Sequence, residues 1–170
     1  MYIITEQPVN RTGVKQLALT RQQKNFIRKG SLVLFLIYMA GMAYFLFFSE
    51  ALNRTSDMVY QYNLVLFQEI ERGFWCLEHG NFEYFFLNVV LNVLAFAPFG
   101  FVLPIIHPRR RKFLNVFLLS LEFTLIIEIL QLIFRVGIFD VDDMFMNTVG
   151  STLGYLCYVL CYKILLKRGE

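Results

Sequence analysis

Four long apolar stretches set the pattern of this chain, with short polar or basic segments between them. Residues 31–48 carry no charge, and residues 85–106 are interrupted by Pro98 and Gly100. Residues 113–134 hold Glu122 and Glu128, and residues 144–166 hold Asn147 and the run Gly150–Gly154. Each approaches the ~20 residues a helix needs to cross a ~30 Å hydrocarbon core. The pattern therefore predicts an all-α polytopic membrane protein, a bundle of four transmembrane helices. The connection from 49 to 84 is not an ordinary loop. Its apolar runs 64–67 and 74–77 alternate with Glu69, Glu71, Arg72 and Glu78. That density predicts a helix in the outer interface, with Trp75 at headgroup depth, roofing the ends of the spans.

Composition agrees with this reading. Hydrophobic residues make up 57% of the 170 positions and charged residues only 17%, which places the chain in the membrane class. There is room for one membrane domain, 31–166, preceded by a basic tail, 1–30. Thirty residues before the first span exceed an ordinary signal n-region, so that span reads as an uncleaved anchor. Thr20 and Gln23 form a capping box leading into it. Cys76, Cys157 and Cys161 match no metal or disulfide framework. The sequons at Asn10 and Asn53 are of a kind common by chance.

Lysines and arginines set the orientation. Six precede the first span, four lie at 109–112 and three near the C-terminus, against two in the first connection and one, Arg135, in the third. This bias predicts cytoplasmic N- and C-termini in a multi-pass cell-membrane protein. The basic clusters follow topology, so nucleic-acid binding is excluded as a main role.

Polar groups inside the apolar stretches cost at least ~2.5–3.5 kcal/mol when charged, and so mark sites or buried pairs. Glu128 lies six residues before Phe134, roughly 9 Å below the outer boundary. Asn92 falls about 10 Å deep on the second span, and Asn147 about 6 Å below Asp143 on the fourth. Thr124, Glu128, Gln131 and Arg135 share roughly 60° of the third helix, and Asp143, Asn147, Gly150 and Gly154 form a comparable stripe. Asn88 and Asn92 share a face. Together they predict a polar pocket between helices, open to the exterior. Asp140 reads as an N-cap and Asp143 as an acidic first-turn residue of the fourth helix. The glycine pair Gly150 and Gly154 predicts a close helix contact. Glu122 lies off this face.

At this point the residues resemble a family. Asn88-Val-Val-Leu-Asn92-Val-Leu-Ala-Phe-Ala-Pro98-Phe-Gly100 is similar to the N…NxxxFxPFG signature of VanZ-like membrane proteins. Glu128, Gln131, Arg135, Asp140, Asp142, Asp143 and Asn147 resemble that family's second block, and the likeness covers residues 31–166. One departure is Asn63-Leu64-Val65-Leu66-Phe67, which lacks the family's proline and so predicts a different turn; another is Glu122. The resemblance implies a role in resistance to glycopeptide antibiotics, especially lipid-tailed teicoplanin, without supplying a reaction.

Two function classes follow. In the first, the pocket binds a lipid-anchored antibiotic or a lipid-linked wall precursor, with Asn88, Asn92, Gln131, Asp140, Asp142 and Asn147 as ligand-binding groups among membrane lipids. In the second, the protein is an intramembrane enzyme with Glu128 as acid or base, assisted by Arg135 and Asp143. Asp140, Asp142 and Asp143 then offer oxygen ligands for a divalent cation, though their spacing does not aim them one way. No Ser/His/Asp or Cys/His set exists, because His79 and His107 fall at opposite membrane faces. Transport is disfavoured, since the strongly polar groups stop in the outer layer.

Overall fold

The computed structural model describes residues 21–48 and 60–167. The basic tail up to Thr20, the Thr20 half of the capping box and both sequons lie outside the described residues. Helix α1 runs Arg21–Phe48, starting ten residues ahead of the apolar stretch. A two-residue strand, β1 (Tyr62–Asn63), then precedes helix α2 (Gln68–Glu78). Helix α3 (Phe82–Phe85), a π-helical turn (Phe86–Val90) and helix α4 (Leu91–Ile106) form one continuous span. Helix α5 (Phe113–Phe134), strand β2 (Phe139–Asp140) and helix α6 (Val141–Lys167) complete the described chain. Among these residues four helices are long and apolar enough to cross a membrane, as the hydropathy pattern requires.

The tightest packing lies between α4 and α6, and small residues make it possible. A Cβ on Gly150 would collide with the Val93 carbonyl oxygen, one on Gly154 with that of Ala97, and one on Gly100 with that of Ser151. These contacts are with backbone, which no rotamer change relieves. The glycine spacing read from the sequence thus brings the two backbones together, and Ser151 Oγ donates to the Phe96 carbonyl at 3.2 Å across the seam. Helix α1 packs more loosely. Its one buried side chain, Met42, joins Phe96 and Ile127 in the apolar core, and the Tyr38 hydroxyl donates to the Ala95 carbonyl.

The π-helical turn has a local explanation. A wider turn leaves carbonyls without their usual i+4 amide partners. Asn88 Nδ2 donates to the Tyr84 carbonyl and Asn92 Nδ2 to the Asn88 carbonyl, each at 2.9 Å. The two asparagines thereby tie their side-chain amides to carbonyls one turn back at the irregular turn.

Helix α2 confirms the helix expected in the first connection. Its N-cap, Phe67, has φ 72°, a left-handed conformation that costs a non-glycine residue about 1–2 kcal/mol. Gly73 is the buried residue of α2, and a Cβ there would lie 2.6 Å from Val89 Cγ2 on the π-turn. Phe74 and Phe85 rings pack at 5.1 Å, and the Tyr84 hydroxyl donates to Glu69 at 2.9 Å. Together these contacts fix α2 to the second span.

Candidate functional site

The connection from 60 to 70 is stitched to the start of α6. Strand β1 pairs in parallel with β2, Tyr62 opposite Phe139 and Asn63 opposite Asp140. Asn63 Nδ2 donates to Asp140 Oδ2 at 3.1 Å, while Asn63 Oδ1 accepts the Val65 N–H at 3.0 Å. That asparagine turn shapes the chain leaving Asn63. Asp142, 0% exposed, accepts N–H groups from Phe67 at 2.5 Å, Glu69 at 2.7 Å and Ile70 at 3.4 Å. It caps the first turn of α2 from another helix. Hydrogen bonds to a charged acceptor contribute about 1.5–3 kcal/mol each, enough to offset the strain at Phe67.

Asp140 acts as the N-cap expected for the last helix, its Oδ1 accepting the Asp142 N–H at 2.8 Å. Burial pushes its carboxyl above the ordinary aspartate value, against the opposing pull of the Asp142 N–H and the Asn63 amide. Its own N–H donates to Glu128 Oε2 at 3.1 Å, placing Glu128 directly behind it. Asn92 Nδ2 donates to Asp143 Oδ1 at 2.6 Å, and Asn147 Nδ2 to Thr124 Oγ1 at 2.9 Å. Glu128, Asp140, Asp142, Asn147 and Thr124 are all buried, and Asp143 lies within electrostatic reach of Glu128. Among the described residues, two buried polar atoms, Ser120 Oγ and Asn147 Oδ1, have no hydrogen-bond partner.

The structure therefore brings together Asn92, Glu128, Asp140, Asp142, Asp143 and Asn147. Asn88 sits one turn from Asn92 and bonds its own helix. Gln131 is buried nearby, its amide donating to the Leu46 carbonyl on α1 at 3.5 Å. Arg135 does not join the cluster. It ends α5 as a left-handed C-cap with φ 55°, is exposed, and stands 4.5 Å over the Tyr60 ring with a 3.3 Å hydrogen bond to that hydroxyl. Arg135→Ala is accordingly expected to cost about 1 kcal/mol or less in thermal unfolding of the detergent-solubilised protein.

Two further expectations are revised by geometry. The stitched connection lies over Asp140 and Asp142, which are buried with Glu128, while Asp143 is half-buried. A cavity of about 390 Å³ lies elsewhere, between α5 and α6, lined by Phe117, Leu121, Val141, Met144, Phe145 and neighbouring residues. The three aspartates serve separate bonds: Asp140 caps α6, Asp142 caps α2 and Asp143 holds Asn92. Among the described residues no group of three acidic, histidine or cysteine side chains is placed to hold a metal ion. Asn63 and the amides of Phe67, Glu69 and Ile70 also partner this site, through contacts that the spacing of residues 63–67 does not indicate. Glu122 is exposed on the outside of the bundle.

These features define a class: a four-span helical membrane protein in which three spans enclose a buried carboxylate–amide cluster beneath a stitched connection. The family within that class is specific. The sequence model of the VanZ/LLP1 family matches residues 35–162, and the chain belongs to that family. It is similar to Protein VanZ of Enterococcus faecium, 38% identical over 84 residues, which are 49% of this chain and 49% of that protein. The chain thus spans about half the length of the curated relative it matches. No solved structure matches.

Proposed function

We propose that this VanZ-family protein lowers susceptibility to lipid-tailed glycopeptides such as teicoplanin by holding a lipid-anchored ligand at the outer membrane face. The ligand is the antibiotic itself or a lipid-linked wall precursor. One observation carries the reading: Glu128 is buried and Asp143 half-buried among apolar spans, yet the one ion pair among the described residues is Arg72–Glu69 on the connecting helix. Uncompensated carboxylates in such a place are retained for a partner that arrives. Their acceptors, with those of Asp140 and Asp142, suit a donor-rich, positively charged group of the ligand. The apolar cavity between α5 and α6 suits its tail. The lysine and arginine distribution supports an outward-facing cluster and cytoplasmic termini.

The same paired carboxylates favour a second reading, an enzyme in which Glu128 exchanges a proton with an envelope lipid or lipid-linked precursor. Profiling envelope lipids and wall precursors by mass spectrometry separates the two. Cells with the wild-type protein are expected to match cells without it while differing in teicoplanin susceptibility. A mass change present with wild type and absent with Glu128→Gln would replace binding with chemistry.

A further inference from the structure

We infer that residues 62–67 form a hinged cover over the carboxylate cluster, which opens at Phe67 and hands Asp140 and Asp142 to the incoming ligand. The inference rests on the binding reading for its purpose but not for its test. As it stands the front of the cluster is closed: Glu128 is 1% exposed, Asp142 0% and Asp140 6%, while Asp143 is half-buried. The α4–α6 side is sealed by backbone-to-glycine contacts. Helix α2 is held to the second span through Gly73, Phe74 and the Glu69–Tyr84 hydrogen bond.

The stretch ahead of α2 is held differently. Leu64, Val65 and Leu66 are 62%, 62% and 49% exposed, so packing against the rest of the protein does not fasten it. Its attachments are polar: the two-residue pairing with β2, the Asn63–Asp140 bond and the Phe67 N–H on Asp142. The apolar exception is the edge contact of the Phe67 ring with Phe145, at the hinge itself. Segments with few buried apolar contacts open at lower free energy than the fold around them.

Asp142 divides its work between its oxygens. Oδ1 takes the Phe67 N–H, whereas Oδ2 takes those of Glu69 and Ile70. Opening at Phe67 frees Oδ1 while α2 stays capped by Oδ2. It also frees Asp140 Oδ2 from Asn63 and lets Phe67 leave its left-handed conformation. Two acceptors then face outward in front of Glu128, and a cationic ligand group replaces the donors that left.

Residue-resolved hydrogen exchange on the full chain in nanodiscs tests the motion without any ligand. The Phe67 and Glu69 amides bond to one carboxylate, at 2.5 and 2.7 Å. A rigid cap protects Phe67 at least as well as Glu69. The hinge instead requires Phe67 to exchange at least tenfold faster, and equal protection overturns it. A lock tests the purpose. With Cys76, Cys157 and Cys161 changed to serine, a Tyr62→Cys/Phe139→Cys pair is expected to form a disulfide that slows Phe67 exchange at least tenfold. The locked protein is expected to lose teicoplanin protection and to regain it with reductant. Protection that persists in the locked state overturns access through the cover. If the unlocked protein gives no protection, the functional reading fails while the exchange result still decides the hinge.

Discussion

Glu128→Gln returns teicoplanin susceptibility to that of cells lacking the protein, with abundance and melting temperature held or raised. This is the expected result, and the structure separates its two halves. Glutamine keeps the volume of glutamate and an oxygen that can still accept the Asp140 N–H, now at 3.1 Å. The neighbouring stitch to Asp140 and Asp142 is therefore retained. Removing a carboxyl enclosed among apolar helices relieves the desolvation cost of ionising it there, so the fold does not suffer. What disappears is a carboxyl able to ionise against an incoming cationic group. Deleting one member of a buried charged pair costs about 2 kcal/mol or more, at least roughly thirtyfold in affinity. Susceptibility testing beside immunoblotting and thermal unfolding reads both halves. Loss of the protein from the membrane would make Glu128 a structural residue, and unchanged protection would remove it from the site.

Gly150→Leu is expected to do the opposite, destroying the fold before any question of function arises. The added Cβ meets the Val93 carbonyl, and α4 and α6 can accept it only by moving apart. Their separation would also break the Ser151–Phe96 bond and loosen Asn92 from Asp143. Overpacking of this kind costs about 3 kcal/mol or more, and abundance is expected to fall at least tenfold. Gly41→Ala supplies the control. Nothing lies within 4 Å of a Cβ there, and alanine in a helix is favoured over glycine by up to about 1 kcal/mol, so stability holds or rises. Equal behaviour of the two variants would mean that α4 and α6 do not pack through their glycines.

Period and depth make much of this architecture legible in the sequence. The four spans follow from apolar length, and the α4–α6 seam follows from two glycines four apart. The grouping of Asn92, Glu128, Asp143 and Asn147 follows from helical azimuth. Arg135 escaped the same reasoning because azimuth assumes the helix continues. At Arg135 the backbone turns left-handed, the helix ends, and the guanidinium leaves the stripe for Tyr60. Asp142 escaped for another reason. Its carboxylate serves amides some 75 positions earlier in the chain, a relation that leaves no trace in local spacing. The π-turn at Phe86–Val90 is likewise invisible to hydropathy, because its apolar content matches the helices on either side.

The distance along the chain between Phe67 and Asp142 also bears on how the protein is made. The stretch that needs capping emerges from the ribosome long before the residue that caps it. Until the last helix enters the bilayer, the first turn of α2 keeps its amides in water and β1 has no neighbour. Closure of this face therefore reports that every span has been inserted, and a chain halted before Asp142 displays a loose, protease-sensitive loop in its place.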